Sequence, residues 1–96
     1  MNTAATAIVN PAHAPLARLV NREEVLQICY WFQGEGFGDH YDAGLLRPFL
    51  QCDEEAIRVA LGELAAQGDL QEDGGRYHFT DKGRREAGRL FADDFS

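Results

Sequence analysis

His40 stands next to Asp39 and two residues before Asp42, a spacing at which one imidazole and two carboxylates can share a divalent cation. The other histidines, His13 and His78, fall in separate segments, so no second imidazole completes such a site locally. His40 therefore reads as a solvated loop histidine, and we expect no metal, no cofactor and no catalytic residues. Gly34, Gly36 and Gly38 crowd into five residues, and glycine-rich loops can cradle phosphate. Such loops follow a strand and lead into a helix, usually with a lysine at hand. Here a helical pattern precedes the glycines and no lysine follows, so they read as a connector. Cys29 and Cys52 form no CxxC pair. Each lies in a helix or helix-turn segment, where a thiol serves as a small apolar core group.

The elements that must position these residues are marked by caps and by apolar spacing. Asn21, with Glu24 three residues on, resembles a capping-box start. Val25, Ile28, Cys29 and Phe32 then recur at helical intervals up to Gly34. Asp42 opens a short second helix over 43–51, in which Leu45, Leu46, Phe49 and Leu50 are apolar and Pro48 is awkward. Asp53 caps a third helix, with Glu54 and Glu55 in its first turn and Ile57, Leu61 and Leu64 on one face. Gly68 ends it. Beyond Gly68 the period changes to alternation around Glu72, Asp73, Gly74 and Gly75, the pattern of a two-stranded hairpin carrying Leu70, Tyr77 and Phe79. Thr80 and Asp81 open a last helix whose apolar face is Ala87, Leu90 and Phe91. Ile57, Leu61, Leu64, Tyr77 and Leu90 are the expected core.

This order is mainly α with a small β-hairpin: three helices, a two-stranded wing and a C-terminal helix. From Leu46 to Ala87 the chain reads LRPFLQCDEEAIRVALGELAAQGDLQEDGGRYHFTDKGRREA and resembles the winged helix-turn-helix superfamily. Leu46, Leu50, Cys52, Ile57, Leu61 and Leu64 fall at its buried positions. Gly68, Leu70, Tyr77, Thr80 and Gly83 match its wing and the entry to the following helix. The alanine-rich, almost uncharged start with Pro11 and Pro15 reads as a flexible N-terminal arm, 1–20, and the resemblance makes 21–96 the winged-helix domain.

In DNA-binding members the exposed face of the third helix enters the major groove and the wing tip touches the backbone. Carried over by position, that surface is Glu54, Glu55, Arg58, Val59 and Arg76. The resemblance thus implies a small DNA-binding transcriptional regulator, paired as a homodimer through its N-terminal segment or last helix. Charge argues the other way. The 96 residues hold 16 acidic and 9 basic side chains, a net charge of −7, which removes long-range attraction to a duplex. Only Arg58 and Arg76 are cationic on the implied surface, while Glu54, Glu55, Glu72 and Asp73 would approach phosphates. Lys82, Arg84, Arg85 and Arg89 on the last helix make a secondary basic face, read most simply as solvated. The alternative is an acidic adaptor that binds a partner protein and no DNA. The start of the chain carries no secretion-signal pattern and no segment reaches the ~20 apolar residues of a membrane span, so a cytoplasmic location is expected.

Overall fold

Asn21 does not cap the first helix. In a computed structural model, which describes residues 14–92, helix α1 runs over Ala14–Glu35 and carries Asn21 in its interior. A capping residue acts only where the chain ahead of it leaves helical geometry. Here Ala, Leu and Arg lead in, and all are good helix formers. Pro15 stands in the opening turn, where a missing N–H costs nothing. Arg18 and Arg22 also reach Glu63 of a later helix, at 3.4 and 2.7 Å. Residues 14–20 of the expected arm are therefore helix, and residues 1–13 lie outside the described residues.

Helix α1 ends where its glycines begin. The Gly36 N–H donates to the Gln33 carbonyl and the Phe37 N–H to the Phe32 carbonyl, at 3.3 and 2.9 Å. These are the paired bonds of a Schellman stop, which needs a left-handed residue, and Gly36 has φ +77°. The apolar contact typical of the motif is also present, with the Phe32 and Phe37 ring centroids 5.9 Å apart. Gly36 thus has a conformational task of its own within the segment read as a connector.

The second helix is shorter than expected. Asp42 caps it through the Leu45 N–H at 2.8 Å, but α2 spans only Ala43–Leu46. A 3₁₀ turn over Arg47–Phe49 then takes in Pro48. Proline has no N–H to continue an α-helix, and the tighter turn absorbs the defect. Leu46 and Leu50 are buried, whereas Leu45 and Phe49, expected on the same apolar face, are exposed.

Asp53 caps α3, Glu54–Ala66, by accepting from the Ala56 N–H at 2.8 Å. Its buried residues are Ile57, Ala60, Leu61 and Leu64. Strands β1 (Leu70–Asp73) and β2 (Arg76–Phe79) pair antiparallel, with Asp73 opposite Arg76 and Gln71 opposite His78. Gly74 and Gly75 both take positive φ, the two-residue turn that matches strand twist. The α1–α2 connector adds a third rung: Tyr41 and Tyr77 exchange both backbone bonds, at 2.7 and 2.8 Å.

Helix α4, Asp81–Phe91, is capped by the Thr80 hydroxyl, which accepts from the Gly83 N–H at 2.9 Å. Gly83, Ala87 and Phe91 face inward at intervals of four. Leu90 is one step off that line, about 100° round the helix, and is 39% exposed instead of buried. It rims a shallow depression with Leu19. Tyr77, also expected in the core, is half-buried. The largest fully buried side chains are Val25, Cys29, Tyr41, Leu46, Ile57, Leu61 and Leu70, drawn from α1, the α1–α2 connector, α2, α3 and β1. The architecture is thus mainly helical with one antiparallel hairpin. Among the described residues no helix is long and apolar enough to cross a membrane.

Candidate functional site

The implied binding residues of α3 begin with a closed ionic group. The Arg58 guanidinium donates to Glu54 at 2.6 Å and to Glu55 at 2.8 Å, on the exposed side of the helix. Each such surface pair is worth only about 0–1 kcal/mol, so the group is not rigid. Its net charge is nevertheless −1, and a phosphate would have to compete with two carboxylates for one guanidinium. Val59 beside it is exposed and apolar. Arg76 does not join this group. Its guanidinium donates to the His40 carbonyl at 3.2 Å, which attaches it to the α1–α2 connector. The implied surface is therefore two separate features.

The secondary basic face is largely neutralised. Lys82 donates to Asp69 at 2.7 Å and to the Gln67 carbonyl at 2.9 Å. Arg84 pairs with Asp81 at 3.0 Å and Arg89 with Glu86 at 2.6 Å. The Arg89 hydrogen bond holds the Glu86 carboxyl below its usual range and raises Arg89. Among the described residues, Arg85 alone of these four carries no ion pair.

Two features arise that the separate segments did not suggest. The first is aromatic. Trp31 lies 5.4 Å from Phe37 and 6.0 Å from Phe49, ring centroid to centroid, and Phe32 lies 5.2 Å from Phe49. Phe37 and Phe49 are 60% and 50% exposed. Trp31 also borders a groove of about 490 Å³ between the C-terminal half of α1 and α4, lined in part by Tyr30, Gly34, Arg84 and Gly88. The density of aromatics in Tyr30–Trp31–Phe32, Phe37 and Phe49 was a readable signal, but their convergence depends on the turn at Gly36.

The second feature is the outer face of the hairpin. Of the carboxylates flanking His40, Asp42 is committed to capping α2, while Asp39 accepts from the His40 Nδ1 at 2.9 Å. That hydrogen bond lowers the Asp39 carboxyl below its usual range. The residues that come up to His40 are His78 and Asp73. One ring nitrogen from each histidine and a carboxylate oxygen of Asp73 lie within 4.8 Å of one another. The His40 and His78 rings are 5.0 Å apart.

The cysteines are unlike each other. Cys29 is fully buried and burial pushes its thiol up. Cys52 is half-buried, so it is not the core residue expected; its thiol is raised too, mainly by desolvation. A thiol reagent near pH 8 should modify one cysteine per native chain, at Cys52, with Cys29 reacting only after denaturation. Peptide mapping checks this; equal labelling of both would show that the core around Cys29 opens readily.

No family model, curated protein or solved structure matches the chain.

Proposed function

We propose that this chain is a winged helix-turn-helix module that docks a protein rather than a duplex. The order of a short helix, a turn, α3, a glycine-turned hairpin and α4 supports the winged-helix reading, as does the inward set Ile57, Leu61 and Leu64. The observation that carries protein docking is the exposed aromatic group. Phe37 and Phe49 stay in water while packed around Trp31 and Phe32, and exposed aromatic clusters are the usual anchors of protein interfaces. The α3 surface agrees with it, because Glu54 and Glu55 enclose Arg58. That acidic turn suits a partner with basic groups at the rim of its contact.

DNA binding by a small regulator is the second reading, and Arg76 favours it. This arginine is exposed at the hairpin turn and carries no ion pair among the described residues.

Two measurements separate the readings. Anisotropy titrations with mixed-sequence duplex, at about 50 and 200 mM salt, should show no binding by the wild-type chain. Against a partner captured by cross-linking in cells, Phe37→Ser/Phe49→Ser should weaken the purified complex at least about tenfold. Glu54→Gln/Glu55→Gln should weaken it as well. Tight, salt-dependent duplex binding that falls on Arg76→Ala and rises on Glu54→Gln/Glu55→Gln would overturn protein docking and establish the regulator.

A further inference from the structure

We propose that the outer face of the hairpin binds a zinc-class divalent cation through the Nε2 atoms of His40 and His78 and the carboxylate of Asp73. The ion would clip the α1–α2 connector to the β1–β2 turn.

Backbone register places the three residues together before any side-chain rotamer is considered. Tyr41 pairs with Tyr77 in an antiparallel bridge, so the preceding residue, His40, lies opposite His78. Asp73 faces Arg76 and Gln71 faces His78 across β1 and β2. Side chains alternate along a strand, so Asp73 and His78 share a face. Buried Tyr41 and half-buried Tyr77 take the opposite, inward face. His40, His78 and Asp73 are thus neighbours on three adjacent segments of backbone.

The histidine tautomers supply a second argument. The His40 Nδ1 is 2.9 Å from an Asp39 carboxylate oxygen, and the His78 Nδ1 is 3.2 Å from the Phe79 carbonyl. Both acceptors lack a proton to give, so each Nδ1 carries a hydrogen, and in the neutral ring this leaves Nε2 as the nitrogen that can take a metal. Metal-binding histidines take this form, with the far nitrogen donating to a carboxylate or a carbonyl. Here one of each type is present. Asp39 therefore acts behind His40 as a positioning residue.

Distance and charge are compatible with an ion. Ligands at about 2.0–2.2 Å from tetrahedral zinc stand roughly 3.3 Å apart. One nitrogen of each ring and an Asp73 oxygen already lie within 4.8 Å of one another, and rotation of these exposed or half-exposed side chains is what brings the two Nε2 atoms to zinc spacing. Two imidazoles and one carboxylate suit zinc, cobalt, nickel or copper, whereas calcium and magnesium prefer oxygen alone. Arg76 is the opposing charge on this face, and its guanidinium is turned to the His40 carbonyl. Three protein ligands leave a coordination position for water or for a side chain of a partner.

The test uses the full chain, stripped of metal, with Cys52 alkylated so that its thiol cannot compete. Calorimetric titration with Zn²⁺ should show one ion per chain. At about a hundred times Kd the ion should raise Tm by on the order of 10 °C. His40→Gln or His78→Gln should abolish the binding and the shift while leaving the far-ultraviolet dichroism of the metal-free chain unchanged. Asp39→Asn should weaken binding about 10–100-fold without removing it, as loss of an outer hydrogen-bond partner does. In imidazole proton spectra, substoichiometric Co²⁺ should broaden His40 and His78 and spare His13. The proposal is overturned by absence of a one-to-one phase at millimolar Zn²⁺, or by binding that survives both histidine substitutions. Broadening of His13 in place of the other two would also overturn it.

Discussion

Gly83→Ala should destabilise the chain by about 3 kcal/mol or more, at the top of the range for overpacking, and lower Tm by at least about 12 °C. The sign is the informative part, because alanine in place of a helical glycine ordinarily stabilises by about 1 kcal/mol. Gly83 lies buried in the first turn of α4, and a Cβ there would sit 1.8 Å from the Asp69 carbonyl oxygen and 2.6 Å from its carbon. Those are backbone atoms held on several sides. The Asp69 N–H donates to the Leu64 carbonyl at 2.9 Å, closing α3, and its carbonyl accepts from the Thr80 N–H at 3.2 Å. The Thr80 hydroxyl donates to the neighbouring Gly68 carbonyl at 2.6 Å, and the buried Asp69 side chain takes Lys82. The segment cannot retreat without losing the junction of α3, β1 and α4. Gly62→Ala is the control, since a Cβ at that exposed helical position meets nothing within 4 Å. It should stabilise. Urea unfolding of both variants decides the matter, and a Gly83→Ala chain as stable as wild type would mean that α4 does not approach Asp69 so closely.

Leu61→Ala should cost about 2–5 kcal/mol, the range for truncating a buried leucine. Leu61 is almost fully enclosed on α3, a helix that packs against α1, α2 and β1, so removing its side chain leaves a cavity inside the core. Leu90→Ala, at a position with the same apolar spacing in the sequence, should cost less than about 1 kcal/mol because much of its side chain is already in water. The difference between the two, measured by denaturant titration with unchanged slope, tests the packing directly. Equal costs would place α4 in the wrong rotation.

The charge arrangement of α3 bears on function in the same concrete way. Glu54, Glu55 and Arg58 stand at helical intervals of three and four, so their pairing was legible without a structure. Arg58 is therefore cationic but not free on the implied surface. The same rule accounts for Arg84 with Asp81 and Arg89 with Glu86, which neutralise most of the basic face on α4.

What the sequence by itself determined is whatever a short stretch of chain can enforce. Asp42, Asp53 and Thr80 cap the helices they precede, since each side-chain oxygen needs only an N–H a few residues on. The two-residue glycine turn sets the hairpin register, and periodicity alone identifies Ile57, Leu61 and Leu64 as core. Only the tertiary structure decided the rest. Asn21 has the residue type and spacing of a cap, yet helix continues through it, with Arg18 and Arg22 fastened to Glu63 some forty residues away. Leu90 lies on an apolar pattern but turns to the rim, because the burial line of α4 is set by how closely Gly83 meets Asp69. The grouping of His40 with His78 and Asp73 depends on a single backbone bridge, Tyr41 to Tyr77, between segments far apart in the chain. Local chemistry writes caps and turns, but which distant segments become neighbours is settled by the packing of the whole core, and that is where the chain's candidate sites arise.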